Sequence, residues 1–391
     1  MDREKHRKKS IYLIYEFLSE QGGLERELII HANFLKEEGY DVKILTCHLD
    51  KKILTLLPFQ GIKVETISLI KTPFEWINMA LCFLGLNKLG RYNPDTFISY
   101  SFPCSYLIKN KKTKKINYVN HYPHFLYLTG KEKIEWAVGT QGVKRRVAVI
   151  VSWLLGSYLR KTDRKLIRKN NLVFMNSQFT KKRLEKLYGL KNTIVSYPPL
   201  DRRFDTPGKE NIKERFVFSS SRIIPDKKYE LLIEAMSFTK KKIPLWLAGS
   251  VENSYKKSLE ELARKKKVSL RFLGKLTTEQ IKDYYSSAEV FAFPTPGEDF
   301  GLVPAESLAC GTPVIVWGDG AGPTEQVIDG INGYHAKPYD LKDFARKIDL
   351  AIEKSLKRKN RKKILESAKK FSYQEVKKGF MKEVNKVLSR P

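Results

Sequence analysis

Cysteine is scarce in this sequence, and its spacing argues against metal binding. The four cysteines are Cys47, Cys82, Cys104 and Cys310, and no two of them form a Cys-x-x-Cys pair. The spacing therefore excludes the common pattern of a structural zinc site. Cys47 and Cys310 lie in apolar contexts that favour burial as small hydrophobic residues. We expect a reducing, cytoplasmic location.

Long hydrophobic runs are also missing. No run of about eighteen apolar residues occurs, so the sequence predicts no transmembrane helix. The first ten residues, M-D-R-E-K-H-R-K-K-S, are charged and lead directly into a predicted strand. They lack the apolar core of a signal peptide, and we expect none. Two shorter apolar stretches, residues 76–86 and 147–159, are the closest approach to a membrane-active segment, and basic residues flank the second.

Basic residues are abundant. The chain has 391 residues, of which 42% are hydrophobic, and it carries a formal net charge of +30. This length is better suited to two domains of nearly 200 residues than to one core. The charge indicates an anionic partner, which composition leaves open among nucleic acid, an acidic membrane surface and a phosphorylated substrate.

Apolar runs of strand length alternate with helical patterns throughout the chain. Predicted strands cover residues 10–17, 41–46, 61–69, 96–100, 116–119, 172–176 and 194–197, then 216–220, 245–249, 268–273, 289–293 and 313–317. This alternation predicts an α/β fold with two doubly wound, Rossmann-like domains. The Pro- and Gly-containing segment 201–211 is the best linker candidate. We expect domains at 1–203 and 204–371, with a C-terminal helix at 372–391 that packs back on the first domain.

The most informative stretch is residues 294–313, P-T-P-G-E-D-F-G-L-V-P-A-E-S-L-A-C-G-T-P. It reads as a glycine-bearing loop and a short helix between two strands, an arrangement that binds anions and ligands in α/β folds. Glu298 lies in the loop, whereas Glu306 belongs to the helix. They would therefore contact different parts of a ligand and do not fit the carboxylate pair of a glycoside hydrolase. The alternative interpretation is structural: Glu298 would be exposed to solvent, and Glu306 would be a first-turn helix residue favoured by the helix dipole.

A second loop, between the predicted strand 216–220 and the next helix, carries two cations. Arg222 and Lys227 stand five residues apart, with Pro225 between them. Two cations beside a helix N-terminus oppose its dipole, so they make more sense if a diphosphate lies between them. An ordinary basic surface is the alternative in a chain this rich in lysine and arginine.

Two features of the first half lie where parallel sheets bind ligands. Gly22 and Gly23 form a turn that opens a helix, without the full G-x-G-x-x-G pattern of dinucleotide-binding proteins. His121 follows the predicted strand 116–119 at its carboxyl end. The alternative interpretation is that Gly22 and Gly23 form an ordinary tight turn and that His121 has a structural role.

Taken together, these motifs resemble glycosyltransferase family 4, the retaining enzymes with the two-domain GT-B fold. The run P-G-E-D-F-G-L-V-P-A-E is similar to the family's donor motif, with seven residues between its two glutamates. The loop S-R-I-I-P-D-K-K is similar to the family's Arg-x4-Lys phosphate motif, and Gly22-Gly23 with Glu25 resembles its Gly-Gly-x-Glu turn. One departure is Lys228, where the family commonly has glycine. Either Lys227 or Lys228 would then be the phosphate ligand, and the spacing favours Lys227.

The resemblance implies two Rossmann-like domains facing a central cleft, and a role for each motif residue. Arg222 and Lys227 would neutralise the diphosphate, and Glu306 would hold the ribose. Glu298 and the amides of a short segment after it would hold the hexose and a phosphate. The implied catalytic residues are His121, Arg222, Lys227 and Glu298. The implied donor-binding residues are Gly22, Gly23, Arg222, Lys227, Gly274, Leu276, Glu298, Phe300, Gly301, Leu302 and Glu306.

The implied reaction is hexose transfer from a nucleotide sugar with retention of configuration. No Asp-x-Asp motif occurs, and we expect no cofactor or obligatory metal. GDP-mannose is the preferred donor, with UDP-hexoses as alternatives. The preferred acceptor is a glycan or a saccharide on a polyprenyl or dolichyl phosphate, with the protein peripheral on an anionic membrane. A basic nucleic-acid-binding protein is the competing class, but no nucleic-acid-binding motif is present.

Overall fold

The computed structural model describes residues 8–19, 22–56, 59–130, 133–134 and 142–390. The chain divides into two compact units. One consists of Met1–Tyr197 with Lys377–Pro391, and the other of Pro198–Val376. We call them the N-terminal unit and the C-terminal unit. The domain limits expected at 203 and 371 stay predictions, a few residues from these divisions.

The N-terminal unit is built on a seven-stranded sheet in the order β3-β2-β1-β4-β5-β6-β7. All neighbouring strands in it are parallel. The strands are β1 (Ser10–Leu18), β2 (Asp41–Leu49), β3 (Lys63–Thr66), β4 (Thr96–Ser99), β5 (Lys114–Val119), β6 (Leu172–Met175) and β7 (Thr193–Val195). The helices are α1 (Gly23–Glu37), α2 (Ile53–Leu56), α3 (Glu75–Phe83), α4 (Phe102–Leu107), α5 (His124–Tyr127), α6 (Gly142–Arg168) and α7 (Gln178–Tyr188).

The C-terminal unit has a six-stranded parallel sheet in the order β10-β9-β8-β11-β12-β13. Its strands are β8 (Val217–Ser220), β9 (Leu245–Ala248), β10 (Leu270–Gly274), β11 (Val290–Ala292), β12 (Val314–Trp317) and β13 (Gly333–Ala336). Its helices are α8 (Tyr229–Phe238), α9 (Asn253–Lys265), α10 (Thr278–Ser287), α11 (Leu302–Ala309), α12 (Leu341–Glu353) and α13 (Leu356–Ala368). Two parallel α/β sheets confirm the predicted fold class.

The central strands of both sheets are largely apolar because helices cover both faces of a parallel sheet. All four residues of β12, Val-Ile-Val-Trp, are buried. In the C-terminal unit, Leu232 of α8 and Phe344 of α12 pack in one core with Leu247 and Ile315 of the sheet. This core fixes the strand ends from which the loops of the candidate site emerge.

The last helix, α14 (Tyr373–Ser389), starts in the C-terminal unit, and from Lys377 onward it belongs to the N-terminal unit. There the Phe380 ring stacks on buried His31, with ring centroids 4.4 Å apart and planes 5° from parallel. Burial lowers the pKa of His31 to about 3, so the ring is neutral in this stack. Aromatic packing thus holds the end of the chain against α1.

Some predicted boundaries differ from the observed ones. The strand predicted at 61–69 is shorter, because Gln60 and Gly61 have positive φ and form a turn before β3. The helical region predicted at 130–170 contains one 27-residue helix, α6, and residues 131–132 and 135–141 lie outside the described part. Among the described residues, no helix combines the length and apolar character needed to cross a membrane.

Candidate active site

The order of the second sheet locates the candidate site. From β8 the chain runs outward through β9 and β10, then returns to the other side of β8 and continues through β11, β12 and β13. Ligands of open α/β sheets bind beyond the carboxyl ends of the strands at such a switch point. The two loops that leave there follow β8 and β11, and they carry the predicted cations and the predicted Glu298.

The loop after β8 has a defined conformation. Pro225–Lys227 forms a single 3-10 turn, and Lys228 then adopts left-handed backbone angles, φ 55° and ψ 43°, before α8 begins. Glycine adopts these angles most easily, which gives a physical reason for the glycine that the family commonly has here. Arg222 and Lys228 are exposed, whereas Lys227 is half-buried.

A direct ion pair joins the two switch-point loops. Lys227 Nζ lies 2.5 Å from Glu298 Oε2, and both side chains are largely shielded from solvent. The backbone is tied as well, because Thr295 Oγ1 donates a hydrogen bond of 3.1 Å to the carbonyl of Lys227. The structure therefore turns Lys227, and not Lys228, toward the glutamate loop.

The glutamate loop ends at the N-terminus of α11. Gly301, with φ 76°, precedes Leu302, the first residue of the helix, and no side chain caps the helix there. The first amide N–H groups of a helix have no partner within the helix and give this end a positive potential. Phe300 is buried, and the loop after β11 brings the N-terminus of α11 to the carboxyl edge of the sheet. Such a terminus favours a phosphate.

Glu306 is positioned by a buried tyrosine. Tyr285 of α10 donates from its hydroxyl to Glu306 Oε2 at 2.9 Å, and Ser220 Oγ at the end of β8 lies 2.7 Å from the same hydroxyl. Burial and the adjacent Glu306 carboxylate raise the pKa of Tyr285 well above its ordinary value. Tyr285 therefore stays protonated, and it fixes one oxygen of Glu306 at the carboxyl edge of the sheet.

Gly274 and Leu276 lie farther along the same carboxyl edge of the second sheet. Gly274 is the last residue of β10 and has φ 70°, and its carbonyl accepts a hydrogen bond of 2.8 Å from the amide of Gly249. Strand β9 separates β10 from β8. The structure thus places these two residues beside the switch point, one strand away from the Lys227–Glu298 pair.

The sequence did not identify several supporting residues. Gln326 Nε2 donates to the carbonyls of Phe300 and Gly301 at 2.6 and 2.9 Å. The amide of Gly322 donates to the carbonyl of Glu298 at 2.9 Å. A Cβ on Gly322 would lie 2.2 Å from the Asp299 carbonyl oxygen, so only glycine fits. The run G-D-G-A-G-P-T-E was a visible signal for this support, whereas nothing in the sequence singled out Tyr285 or Gln326.

In the N-terminal unit, Gly22 immediately precedes α1, and Gly23 is its first residue. The Glu25 side chain folds back over Gly22, since a Cβ there would lie 2.3 Å from Glu25 Oε2. The hydroxyl of Tyr15 donates to Glu25 Oε1 at 3.1 Å. The Gly-Gly-x-Glu turn is thus one connected structure at the carboxyl end of β1.

His121 is exposed just beyond β5, as predicted from its position after a strand. Its Nδ1 lies 3.1 Å from the carbonyl of Tyr122, and its ring stacks on His124 at 4.8 Å. Burial, with help from the nearby His121 and Arg183, lowers the pKa of His124 to about 3. A neutral His124 therefore supports the His121 ring.

A buried carboxyl group connects the turn helix to the histidine loop. Asn120 Nδ2 donates to Glu27 Oε2 of α1 at 2.9 Å, and Glu27 is 3% exposed. Burial raises the pKa of Glu27 to about 7. No local sequence signal predicts this contact, because Glu27 stands on the helix among ordinary charged residues.

Solved structures define the class of fold. Sucrose-phosphate synthase from Thermosynechococcus elongatus aligns with a TM-score of 0.77 at 16% identity, covering 98% of this chain and 100% of that one. HepE from Anabaena, solved in complex with UDP, aligns with a TM-score of 0.74 at 16% identity, covering 96% and 100%. The two Rossmann-like sheets and these likenesses show the GT-B fold.

Two family models match consecutive parts of the chain. The model described as Glycosyltransferase Family 4 matches residues 21–203, and that described as Glycosyl transferases group 1 matches residues 202–371. The chain belongs to the family 4 glycosyltransferases, as the sequence motifs predicted.

Curated relatives are more distant and match in part. A D-inositol 3-phosphate glycosyltransferase of Mycolicibacterium smegmatis is 26% identical over 49% of this chain and 48% of its own length. A GDP-mannose-dependent phosphatidylinositol monomannoside mannosyltransferase of the same organism is 27% identical over 47% and 53%. The chain thus matches about half the length of these two relatives.

Proposed function

We propose that this protein transfers a hexose from a nucleotide diphosphate sugar to a glycan acceptor, with retention of configuration. The observation that carries the proposal is the 2.5 Å pair between Lys227 and Glu298 at the switch point of the second sheet. It brings the predicted phosphate ligand and the predicted sugar ligand into one site. If the ion pair served only to stabilise the fold, it would require neither the uncapped N-terminus of α11 nor the ordered Glu306 in the same helix.

Each group of the donor has a chemically suitable partner in this site. Arg222 and Lys227 supply two positive charges for the diphosphate, and the amides at the start of α11 supply hydrogen-bond donors. Charge grows on the diphosphate as the bond to the sugar breaks, so these groups act most strongly in the transition state. Glu306 offers a carboxylate to the ribose hydroxyls, and Glu298 offers one to the hexose.

Retention with one donor site requires that the acceptor approach the face from which the diphosphate departs. The chain would then contribute orientation and electrostatic stabilisation, and the diphosphate would accept the acceptor's proton. The cations of the loop after β8 support a metal-independent reaction, and we expect chelators to leave the rate unchanged. Gly22, Gly23 and His121 of the N-terminal unit stay predictions from the family resemblance.

We favour GDP-mannose as the donor. The support is the GDP-mannose-dependent relative, and UDP-hexoses stay the alternative because the solved HepE structure contains UDP. For the acceptor we favour a saccharide on a lipid carrier. One support is the relative named as a phosphatidylinositol monomannoside mannosyltransferase. The other is the charge of +30, which suits a protein peripheral on the cytoplasmic face of an anionic membrane.

A calorimetric comparison of GDP-mannose, UDP-glucose and UDP-N-acetylglucosamine with the full chain tests the donor. We expect GDP-mannose to bind most tightly. If a UDP sugar binds more tightly, that UDP sugar is the donor instead of GDP-mannose. Failure of all three to bind would contradict the proposed function. With a turnover assay in hand, NMR of the product should show the anomeric configuration of the donor, and an inverted product would refute retention.

A further inference from the structure

Helix α6 of the N-terminal unit carries an unusual exposed face. Six large apolar residues recur at intervals of one, three and four positions and are all exposed: Val147, Ile150, Val151, Leu154, Leu155 and Tyr158. Trp153 lies beside this stripe and is 83% exposed. Soluble proteins rarely expose so many large apolar side chains on one helix unless they contact a partner or a membrane. We call this set the apolar stripe.

The same face becomes basic in the C-terminal half of the helix. Lys161 and Lys165 continue the row of Leu154 and Tyr158 at helical spacing, and both are exposed. Within the described part of the chain, neither lysine forms an ion pair with a carboxylate. They line a groove of about 600 Å³ with Arg164, Arg168 and Lys169. A rise of 1.5 Å per residue makes the apolar stretch 147–158 about 17 Å long and the basic stretch 161–168 about 11 Å long.

The opposite face of α6 holds the helix on the unit. Asp163, the only acidic residue of α6, is buried and accepts hydrogen bonds from the hydroxyls of Tyr127 and Tyr188 at 2.8 and 2.7 Å. Arg160 donates to the carbonyl of Leu126 at 3.2 Å. The outer face is therefore fixed in orientation and carries no negative charge.

We propose that α6 is a membrane-docking helix that lies in the plane of an anionic bilayer. The apolar stripe would enter the interfacial region, with Trp153 at the level of the headgroups, where tryptophan is enriched in membrane proteins. Lys161 and Lys165 would contact lipid phosphates, since basic residues beside an anionic leaflet each add to the attraction. None of the residues of this face is assigned to the donor, so the inference does not depend on the donor assignment.

The charge and the apolar character of this face together favour a bilayer over other partners. A second copy of the chain would bring the same cationic half toward this one, because the outer face has no carboxylate to pair with it. Nucleic acid would satisfy the lysines but would leave the apolar stripe in water. An anionic bilayer supplies an apolar layer beneath a layer of phosphates, which matches both halves of the face at once.

Co-sedimentation of the full chain with vesicles tests the proposal. Vesicles of phosphatidylcholine with about one third phosphatidylglycerol should bind the protein, and pure phosphatidylcholine vesicles should bind it at least tenfold more weakly. Trp153→Ser with Leu154→Ser should weaken binding to anionic vesicles at least tenfold. The matched control is Leu84→Ser, which removes a residue that is 78% exposed elsewhere in the same unit. Equal losses in both variants would overturn the assignment to α6.

The basic half is tested by charge reversal. Lys161→Glu with Lys165→Glu should weaken binding at least tenfold, whereas Lys257→Glu with Lys265→Glu, which makes the same charge change on exposed lysines of α9, should weaken it less than threefold. Donor binding and thermal unfolding of each variant confirm that the chain is folded. Equal effects of the two pairs would indicate attraction by net charge alone and contradict the proposal.

Two further measurements separate membrane docking from the other partners. Tryptophan emission should shift to shorter wavelength on vesicle addition, and Trp153→Phe should remove most of that shift. Sedimentation velocity without lipid should give a monomer. A dimer that dissociates in the Trp153→Ser, Leu154→Ser variant would show that this face joins two copies, and would overturn the proposal.

Discussion

The two adjacent lysines of the loop after β8 give the sharpest prediction. Lys227 Nζ lies 2.5 Å from Glu298, whereas Lys228 is exposed and has left-handed backbone angles. We expect Lys227→Ala to lower kcat/KM strongly, and Lys228→Ala to change it less than about threefold. The two variants make the same chemical change at neighbouring positions, so each is the control of the other.

The expected magnitude follows from the position of Lys227. Its ammonium group contacts a half-buried carboxylate and is assigned to the leaving diphosphate, so its loss removes charge stabilisation at both places. Removal of one preorganised donor from a developing anion costs about 3 kcal/mol, or roughly a hundredfold in kcat/KM. Lys228 contributes no such contact, and glycine there would remove the left-handed strain of about 1 kcal/mol.

The assay is the initial rate of nucleotide release during transfer, measured over a range of donor concentrations. Lys227→Arg should keep more activity than Lys227→Ala because it retains a cation. Urea unfolding of Lys228→Gly should show a stability within about 1 kcal/mol of wild type. A larger loss of kcat/KM in Lys228→Ala than in Lys227→Ala would refute the assignment of the phosphate ligand.

Three other predictions concern residues that support the site. Tyr285→Phe should weaken donor binding by about tenfold, since a buried hydrogen bond to a charged group contributes about 1.5–3 kcal/mol, and calorimetry checks this. Gly322→Ala should lower both donor affinity and melting temperature, because its Cβ would displace the glutamate loop. Gly379 is an exposed position of α14 with nothing within 4 Å of an added Cβ, so Gly379→Ala should instead stabilise the protein by about 1 kcal/mol. Glu27 has a raised pKa of about 7, so its protonated form stabilises the fold at low pH and the contribution is lost as pH rises from about 4.5 through 7. Glu27→Gln should therefore flatten the fall in unfolding free energy between pH 5 and 7.5, measured with urea, and an unchanged slope would contradict this.

The sequence predicted much of the fold because its signals are local. Apolar runs such as Val-Ile-Val-Trp, alternating with helical periods, predict a doubly wound α/β protein, since a strand covered on both faces must be apolar. The loop residues Lys227, Glu298 and Gly301 could be identified from their spacing together with the resemblance to family 4. The strand order that brings their loops together is a long-range property, and spacing along the chain does not contain it.

The supporting residues could not be predicted for a related reason. Tyr285 reads as one aromatic residue of an ordinary helix until tertiary packing places its hydroxyl 2.9 Å from Glu306. Gly322 shows its importance only where its Cβ would meet the backbone of another loop. The exposed face of α6 was visible as an apolar run with basic flanks, but the division into an apolar and a basic half depends on which side of the helix is buried.

The central claim is that the loops at the switch point of the C-terminal unit bind a nucleotide sugar. Calorimetric titration of the preferred donor into wild type, Arg222→Ala and Glu306→Ala tests it most directly, with thermal unfolding as the check on folding. We expect tight binding by wild type and at least a hundredfold weaker binding by each folded variant, together with loss of transfer. Wild-type affinity and activity in both variants would contradict the account.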